Sequence, residues 1–425
     1  MKNIVVVGAG ASGLKLVKKL SSSTKFKVTL IDKEYRHVWK PLMHEVATGI
    51  RDEKIDSINL KYHSVANGYS FIHGEVINVN SDSKNISLAK VTDESGHTII
   101  PERTIDYDIL VLAIGSGTND FGNADVDKHC QYVTSLTSAV RAKEKLESEI
   151  ERTHHSSRDT TRITIVGGGP TGTELAANII TSVNRLNRHG FCSTDNSGLS
   201  IKIIEGGHTI LPSMSPVISN YIRDALLKLN VEILNNTTVT DITEIDVMTN
   251  DGQRIPHDLI FWTAGIKCPD FVANIKGVQV NRINQIKTSP FLTALGSSTI
   301  FVLGDLSNCV DSNGMTVPAT AQASHQMADH CYKNIKNLLE GREMESFSYV
   351  DHGSIVKLNK DSSAGTLLTS IQRKEVTNKF IIKSITNTLY GAHIISVLGY
   401  RRGVANLIYG KLSQFSGNNI NFFNI

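Results

Sequence analysis

The sequence predicts an α/β chain built from two Rossmann-like dinucleotide-binding domains, and three observations predict it. A short apolar, β-branched run, Ile4–Val7, leads into a glycine turn and then a helical spacing of Leu14, Val17 and Leu20. The same order recurs about 160 residues later as Ile163–Val166, Gly167–Gly172 and Glu174–Leu186. Each copy is followed by a second strand that ends at an acid, Asp32 in the first and Glu205 in the second.

The first turn reads Gly8-Ala9-Gly10-Ala11-Ser12-Gly13, with Asp32 lying 19 residues beyond it. Gly8 permits the tight turn, Gly10 lets backbone approach a pyrophosphate, and Gly13 lets helix and strand pack closely. The helix N-terminus faces the phosphates, and Asp32 accepts from ribose hydroxyls. The second turn reads Gly167-Gly168-Gly169-Pro170-Thr171-Gly172, and Glu205 follows the strand Ser200–Ile204. Its distance exceeds the usual ~20 residues, an excess that the Asn/Ser/Gly-rich loop Asn187–Gly198 absorbs. An acid there favours NADH, because it repels the 2′-phosphate of NADPH, and Gly206, Gly207 and His208 supply no Arg. An incidental glycine-rich turn is the alternative; the register of strand, helix and acid argues against it. Two such turns imply a relay, with a flavin at the first and a nicotinamide at the second.

The remaining elements follow from pattern. Phe71–Val79, Asn85–Leu88 and Thr98–Ile100 are expected to form a small antiparallel meander, and Ile109–Ile114 a buried parallel strand. Ser138–Arg152 reads as a polar helix. Later strands are expected at Val231–Leu234, Leu259–Trp262 and Thr299–Leu303, and a helix at Ala319–Leu339 that Pro318 helps to start. Two weakly amphipathic segments, Phe380–Leu389 and His393–Leu412, end the chain. Tyr35, Trp39 and Trp262 are expected to be packing residues. The 425 residues provide for two or three domains of ordinary globular composition.

Composition also excludes. Cys130, Cys192, Cys268, Cys309 and Cys331 are scattered, so no redox pair or zinc spacing is present, no metal site is expected, and reduced thiols are. A net charge of +3 does not suggest nucleic acid. Yet residues 371–425 hold seven Lys/Arg against Glu375, a balance of +6 that leaves −3 for the rest. No stretch has the ~18 consecutive apolar residues of a transmembrane helix, and a strand starting at Asn3 leaves no room for a signal peptide.

Several segments carry a resemblance. They are His37–Gly49 (HVWKPLMHEVATG), Tyr107–Ser116 (YDILVLAIGS), Trp262–Ile266 (WTAGI), Gly304-Asp305, Ala321–Gln326 (AQASHQ) and Tyr349–Ser354 (YVDHGS). Over nearly its whole length the chain resembles the two-dinucleotide-binding-domain flavoproteins, and within them the type II, non-proton-pumping NADH:quinone oxidoreductases of the enterobacterial type. Gly304-Asp305 is shared by the superfamily, whereas His37–Gly49 and Ala321–Gln326 are more specific to the quinone reductases.

The resemblance implies a discontinuous FAD domain (1–115 and 288–345), an inserted NADH domain (116–287) and a C-terminal membrane-associating segment (346–425). It implies non-covalent FAD at Gly8, Ala9, Gly10, Ala11, Ser12, Gly13, Asp32, Lys33, Val76, Ala113, Gly115, Asp305, Ala321, Gln322 and Lys379. It implies NADH as substrate at Gly167, Gly169, Pro170, Thr171, Gly172, Glu174, Glu205, Ala264 and Gly265. Glu174, Gln322 and Gln326 are the implied catalytic set: Glu174 faces the nicotinamide–flavin stack, and the two glutamines line a quinone pocket. Plain alternatives stand beside these roles: a first-turn acid favoured by the helix dipole for Glu174, a satisfied turn acid for Asp305, exposed helix polars for the glutamines. The implied partners are a membrane quinone (ubiquinone or menaquinone) and the membrane surface, with no nucleic acid and a homodimer left open. The implied place is peripheral, on the cytoplasmic face of a bacterial inner membrane.

Basic residues interleaved with apolar ones (Lys379, Phe380, Ile381, Ile382, Lys383, then Ile394, Ile395, Leu398, Arg401, Arg402, Leu407, Ile408) suit an interfacial anchor. A domain-packing helix pair or a dimer interface is the alternative. Two rivals share the fold. A sulfide:quinone oxidoreductase would need a reactive cysteine relay and has no use for the second turn with Glu205. A non-enzymatic flavin redox sensor, like the apoptosis-inducing flavoproteins, would keep both nucleotide sites but lacks a reason for Ala321–Gln326 and the basic tail.

Overall fold

The strand Lys2–Val7 lies at the middle of a five-stranded parallel sheet whose order is Ile300–Val302, Ile109–Leu112, Lys2–Val7, Phe26–Asp32, Ser70–His73. Ile4 to Val7 are buried on both faces, as suits a parallel strand covered on each side. A second, four-stranded parallel sheet has the order Val231–Leu234, Leu199–Ile204, Thr161–Val166, Leu259–Trp262. The computed structural model describes residues 1–93, 95–156, 159–188, 198–359, 362–368 and 373–416.

The α-helices of these residues are, in order, α1 (Ala11–Ser21), α2 (Met43–Ala47), α3 (Leu60–Asn67), α4 (Asp125–His129), α5 (Leu136–His155), α6 (Pro170–Arg188), α7 (Pro216–Lys228), α8 (Ala321–Leu339), α9 (Lys379–Leu398) and α10 (Tyr400–Ser416). Helix α1 buries Leu14, Leu16, Val17 and Leu20 against the first sheet and packs on α8, where Lys15 Nζ reaches Asp329 at 2.7 Å. Short α2 packs on both α5 and α6, so the chain just after the first sheet's second strand touches the helix of the second sheet. An antiparallel three-stranded sheet, Gly353–Lys357, Ser363–Leu368 and Arg373–Val376, lies against α6, α7 and α9.

Both strand–turn–helix units stand where the pattern puts them, and four details differ. The expected meander is re-sorted: Phe71 belongs to the parallel edge strand Ser70–His73, and Val76–Asn80, Asn85–Leu88 and Arg103–Asp106 form the meander. Gly74 divides the two, its N–H donating to Asp32 O, while Thr98–Ile100 pairs with Val91–Thr92 in a hairpin of its own. The tail helices break at Gly399 (φ +83°), not near residue 390, because Gly391 is carried inside α9. Helix α8 is capped by Thr320, whose hydroxyl accepts from the Ala323 N–H, so the start signal is a polar cap and not Pro318. Trp262 and Trp39 pack as expected, but Tyr35 is exposed and stacks on His73 with ring centroids 3.8 Å apart. The expected loop Asn187–Gly198 lies largely outside the described residues.

The closest approach in the first unit is backbone to backbone. A Cβ at Gly13 would sit 1.8 Å from Gly8 O, so helix and strand must separate to admit one. Gly13→Ala is expected to cost at least about 3 kcal/mol in a denaturant melt. Gly68→Ala, at a positive φ but with open space around it, is expected to cost about 1 kcal/mol.

Candidate active site

The two glycine turns are built alike. In the first, Gly8 (φ +101°) abuts the Ala113 carbonyl, and Asp32 Oδ2 accepts from the Ala9 N–H. In the second, Gly167 (φ +109°) abuts Thr263 and the Ala264 N, and Glu205 Oε2 accepts from the Gly168 N–H at 2.7 Å. Each acid thus ends its strand by bonding the residue that follows the first glycine. Burial pushes the Asp32 carboxyl above the ordinary carboxylate range, despite the N–H groups of Ala9 and Glu34. Gly10 and Gly169 are the open members: an added Cβ would meet nothing nearer than Ala113 O at 4.0 Å in one, and nothing within 4 Å in the other. Close packing at the first and last glycines with open space at the middle one leaves room for a pyrophosphate at each helix start. Ala11 and Ser12 begin α1, and Pro170, Thr171 and Gly172 begin α6.

Around the first turn, Asp305 follows Gly304, whose backbone lies against Ser324 of α8 and Ser12 of α1. Its Oδ2 accepts from Lys40 Nζ at 2.9 Å and Ser116 Oγ at 3.0 Å. Asp305 is therefore partnered as a turn acid would be, and its partners come from two segments expected near a flavin. Gly115 takes φ +70°, Val76 is buried, and Ala321 and Gln322 open α8. Lys33 is exposed and pairs with Glu75 at 3.2 Å. Lys379 begins α9, with Nζ over the Phe380 ring. At the second turn, Gly265 (φ +66°) packs on Phe121.

Glu174 marks where distant parts of the chain meet. It is the fifth residue of α6, past the first turn where the sequence puts it, because the helix already starts at Pro170. Its side chain is mostly buried, with Oε1 accepting from the Lys357 N–H at 3.0 Å and Oε2 3.5 Å from His44 Nδ1. Glu45, next to His44 on α2, is also buried, and Arg51 Nε and Lys357 Nζ pair with it. Arg51 reaches Asp56 as well and lies over the Tyr390 ring of α9. The Ser182 hydroxyl of α6 donates to Thr48 O at 2.6 Å and pins α2 to α6.

Two neighbouring buried carboxyls end up in opposite states. Burial opposes ionisation of Glu45, but Arg51 and Lys357 outweigh it and hold the group down to about 2. Burial pushes Glu174 up to about 8, and the Glu45 charge pushes the same way. Burial also pulls the His44 ring down to about 4. The Glu174–His44 contact is therefore one between two neutral groups at pH 7, with the proton on the carboxyl.

The two glutamines hold a segment of backbone. Gln322 Oε1 accepts from the Tyr349 hydroxyl and the His352 N–H, and its Nε2 donates to Gly353 O. Gln326 brackets Val350, donating to its O at 2.7 Å and accepting from its N–H at 3.0 Å. They are partnered helix polars, and the segment they hold is Tyr349–Gly353. Sequence reasoning assigned no role to His44, Glu45, Arg51, Lys357, Lys40 or Ser116. His44, Glu45, Lys40 and Ser116 stand inside the segments that carry the resemblance, but nothing local marks them as partners. The described cysteines, Cys130, Cys268, Cys309 and Cys331, are buried free thiols, and burial pushes Cys130 and Cys268 up to about 12.

Comparison with known proteins agrees with this layout. Residues 2–328 match the pyridine nucleotide-disulphide oxidoreductase family. The chain is 35% identical over 397 residues to a type II NADH:quinone oxidoreductase of Haemophilus influenzae, covering 89% of each protein. It is 27% identical to the Mycobacterium tuberculosis enzyme of that name, over 86% of this chain and 79% of that one. Its fold is like that of Plasmodium falciparum NDH2 solved with NADH, at TM-score 0.85 and 18% identity over 100% of both chains. Sulfide:quinone oxidoreductase from Aquifex aeolicus is similar at TM-score 0.73 and 17% identity, over 98% of this chain and 95% of that one.

Glu45→Gln leaves Arg51 buried with half its charge compensation gone. It is expected to cost about 3–5 kcal/mol by denaturant melt at pH 7. Glu45 ionises at about 2 when folded against an ordinary 4.5, so the pairing stabilises fully above pH 4.5. That gain is lost as the pH falls toward 2, and the gap between variant and wild type should narrow over the same range.

Proposed function

The chain belongs to the type II NADH:quinone oxidoreductases, within the pyridine nucleotide-disulphide oxidoreductase family, and on that premise we propose how its own residues divide the work. It is an FAD-dependent enzyme that oxidises NADH and reduces a quinone. Bound FAD supplies the two-electron store between a hydride donor and a quinone. The observation that carries the reading is the meeting of Glu174 with buried His44 and Glu45 and with the half-buried Lys357, two residues beyond the second glycine turn.

The first turn with Asp32 holds FAD, and the second with Glu205 holds NADH. Asp305, positioned by Lys40 and Ser116, takes the flavin's ribityl hydroxyls, and the α8 N-terminus at Ala321 and Gln322 favours negative charge on the flavin ring. Lys33, Val76, Ala113, Gly115 and Lys379 complete the FAD set, and Ala264 and Gly265 the NADH set. Glu174 holds a proton on Oε2 at neutral pH and gives it up as quinone gains charge; solvent restores it. Gln322 and Gln326 shape the quinone pocket through the Tyr349–Gly353 segment. The FAD domain comprises 1–115 and 288–345, and the NADH domain 116–287.

The C-terminal region, 346–425, supplies the membrane contact. Phe380, Ile381 and Leu389 of α9 and Tyr400, Ile408 and Tyr409 of α10 are exposed, and Tyr62 and Val65 of α3 are exposed beside them, where Arg402 donates to Ala66 O. No helix among the described residues is long and apolar enough to cross a membrane. We place the attachment at the membrane interface, on the cytoplasmic face, where it brings the site to ubiquinone or menaquinone without proton pumping. Sulfide oxidation is disfavoured, because the thiols of the described residues are buried and protonated where a reactive relay is required.

The purified protein should show a flavin spectrum that bleaches with NADH and returns with a soluble quinone; bleaching by sulfide and not by NADH would reverse the assignment. Glu174→Gln keeps the shape of the protonated acid. It should keep flavin and NADH bleaching but slow reoxidation by quinone roughly 100-fold; unchanged turnover removes Glu174 from the reaction. The wild type, with Glu174 raised from 4.5 to about 8, should lose stability as pH rises across that range, and the Gln variant should not. Serine at Phe380, Ile381 and Leu389 together should weaken sedimentation with anionic vesicles at least about tenfold. Vesicle binding equal to wild type would overturn the anchor. These substitutions are preferable to deleting everything after Glu375, which also removes the buried Ile382, Ile394 and Val397.

A further inference from the structure

Two buried histidines, His37 and His393, and a half-buried one, His325, come from distant segments and form a line of hydrogen bonds that the reaction does not use. His37 Nδ1 lies 2.7 Å from Ala9 O, in the first glycine turn. His37 Nε2 lies 2.9 Å from His393 Nε2 on α9. His393 Nδ1 lies 3.0 Å from His325 Nε2 on α8. Trp39 stacks on the His393 ring with centroids 5.4 Å apart, and Tyr390 tilts against Trp39.

One proton pattern satisfies the line. A carbonyl only accepts, so His37 Nδ1 carries the hydrogen and its Nε2 accepts. His393 must then donate from Nε2 and accept at Nδ1, and His325 must donate from Nε2. All three rings are neutral in this pattern. Their surroundings keep them so: burial pulls His37 and His325 down to about 4 and His393 lower still. The nearby charged or titratable groups are Lys15 and Lys18 of α1, Asp329 of α8, already paired with Lys15 and Lys19, and His63 and Tyr390. None offers a free anion to a protonated ring. The line ends on a carbonyl that takes no proton, so it conducts none.

It does fix a peptide plane. In a trans peptide the carbonyl and the following N–H point opposite ways. Drawing Ala9 O toward His37 therefore turns the Gly10 N–H away from the buried rings, at the open glycine of the turn. The line passes through α9, whose His393, Ile394 and Val397 are its buried residues nearest this junction, and ends at His325 of α8. Lys18 of α1 also donates to Ile395 O and Ser396 O of α9, so helix and turn are tied at two points.

We infer that His37, His393 and His325 are positioning residues through which the seating of α9 holds the first glycine turn in its FAD-binding shape. The coupling is reciprocal: bound FAD strengthens the seating of α9 as much as the seated helix strengthens FAD binding. The inference rests on the assignment of the first turn to FAD.

The test compares His393→Leu with His393→Gln in the full-length protein. Gln restores a donor toward His37 and an acceptor for His325; Leu fills the space with neither. FAD affinity is read from fluorescence of released flavin, and α9 seating from amide hydrogen exchange with and without added FAD. His393→Leu should weaken FAD binding about tenfold, the loss of one to two hydrogen bonds, and FAD should no longer protect α9. His393→Gln should stay within about threefold of wild type. The double variant His37→Leu/His393→Leu should be no worse than His37→Leu alone. Equal FAD affinity in His393→Leu and wild type, or equal losses in the Leu and Gln variants, would overturn the chain. If His393→Leu fails to fold, additive losses in His37→Gln and His325→Leu would do the same. A wild-type protein purified without flavin and unable to bind it would instead overturn the assignment of the turn.

Discussion

The buried charge of Glu45 is the interaction on which the joining of the two nucleotide modules depends. It holds Arg51 in the interior and the half-exposed Lys357 at its edge, and each brings a separate segment with it. Arg51 carries Asp56 and the face of Tyr390 on α9; Lys357 carries the edge of the C-terminal sheet. Lys357 then serves twice, with its ammonium on Glu45 and its N–H on Glu174. Two carboxyls this close and this buried cannot both ionise on that supply of cations, so the charge settles where the cations are. Glu174 is left protonated by exclusion, and an acid that holds a proton at neutral pH is what the proposed proton transfer to quinone requires.

The glycine turns were legible because their demand is local. A strand and a helix that meet backbone to backbone accept only glycine at the contact, and the acid that bonds the turn sits at the end of the next strand in both copies. The same reasoning located the helix bearing Gln322 and Gln326. It misplaced the break between the tail helices, because a glycine inside a helix and a glycine at its end look alike in sequence, and only Gly399 takes the positive φ that terminates a helix. It divided Phe71–Val79 wrongly because one apolar run serves two sheets. The ion pairs around Glu174 were out of reach for a different reason. Lys357 and Glu45 lie 312 positions apart, and no spacing rule spans that distance.

Helix α9 shows why a tail can look dispensable in sequence and be indispensable in structure. Its outward residues, Phe380, Ile381 and Leu389, suit a lipid surface, while Ile382, His393, Ile394 and Val397 are as buried as the first sheet. An anchor that was only an anchor would have no reason to bury a histidine. The surplus charge of the tail is likewise shared between tasks. Arg402 donates to the end of α3, and Lys379 lies over Phe380, so neither is committed to lipid alone.

On the proposed interfacial attachment, that sharing sets which groups would hold the protein to a membrane. Each cation near an anionic surface contributes about 1 kcal/mol, and the contribution falls within a Debye length. Exposed aromatic and aliphatic side chains contribute comparable amounts each without that salt dependence. With part of its basic surplus engaged on the protein, a tail attached as proposed would rely more on Phe380, Ile381, Tyr400, Ile408 and the neighbouring Tyr62 and Val65 than its +6 balance suggests. The helix that carries those residues outward also carries His393 inward, so on the proposed attachment and the proposed histidine line the seating of one element would set both the grip on a membrane and the shape of the first glycine turn.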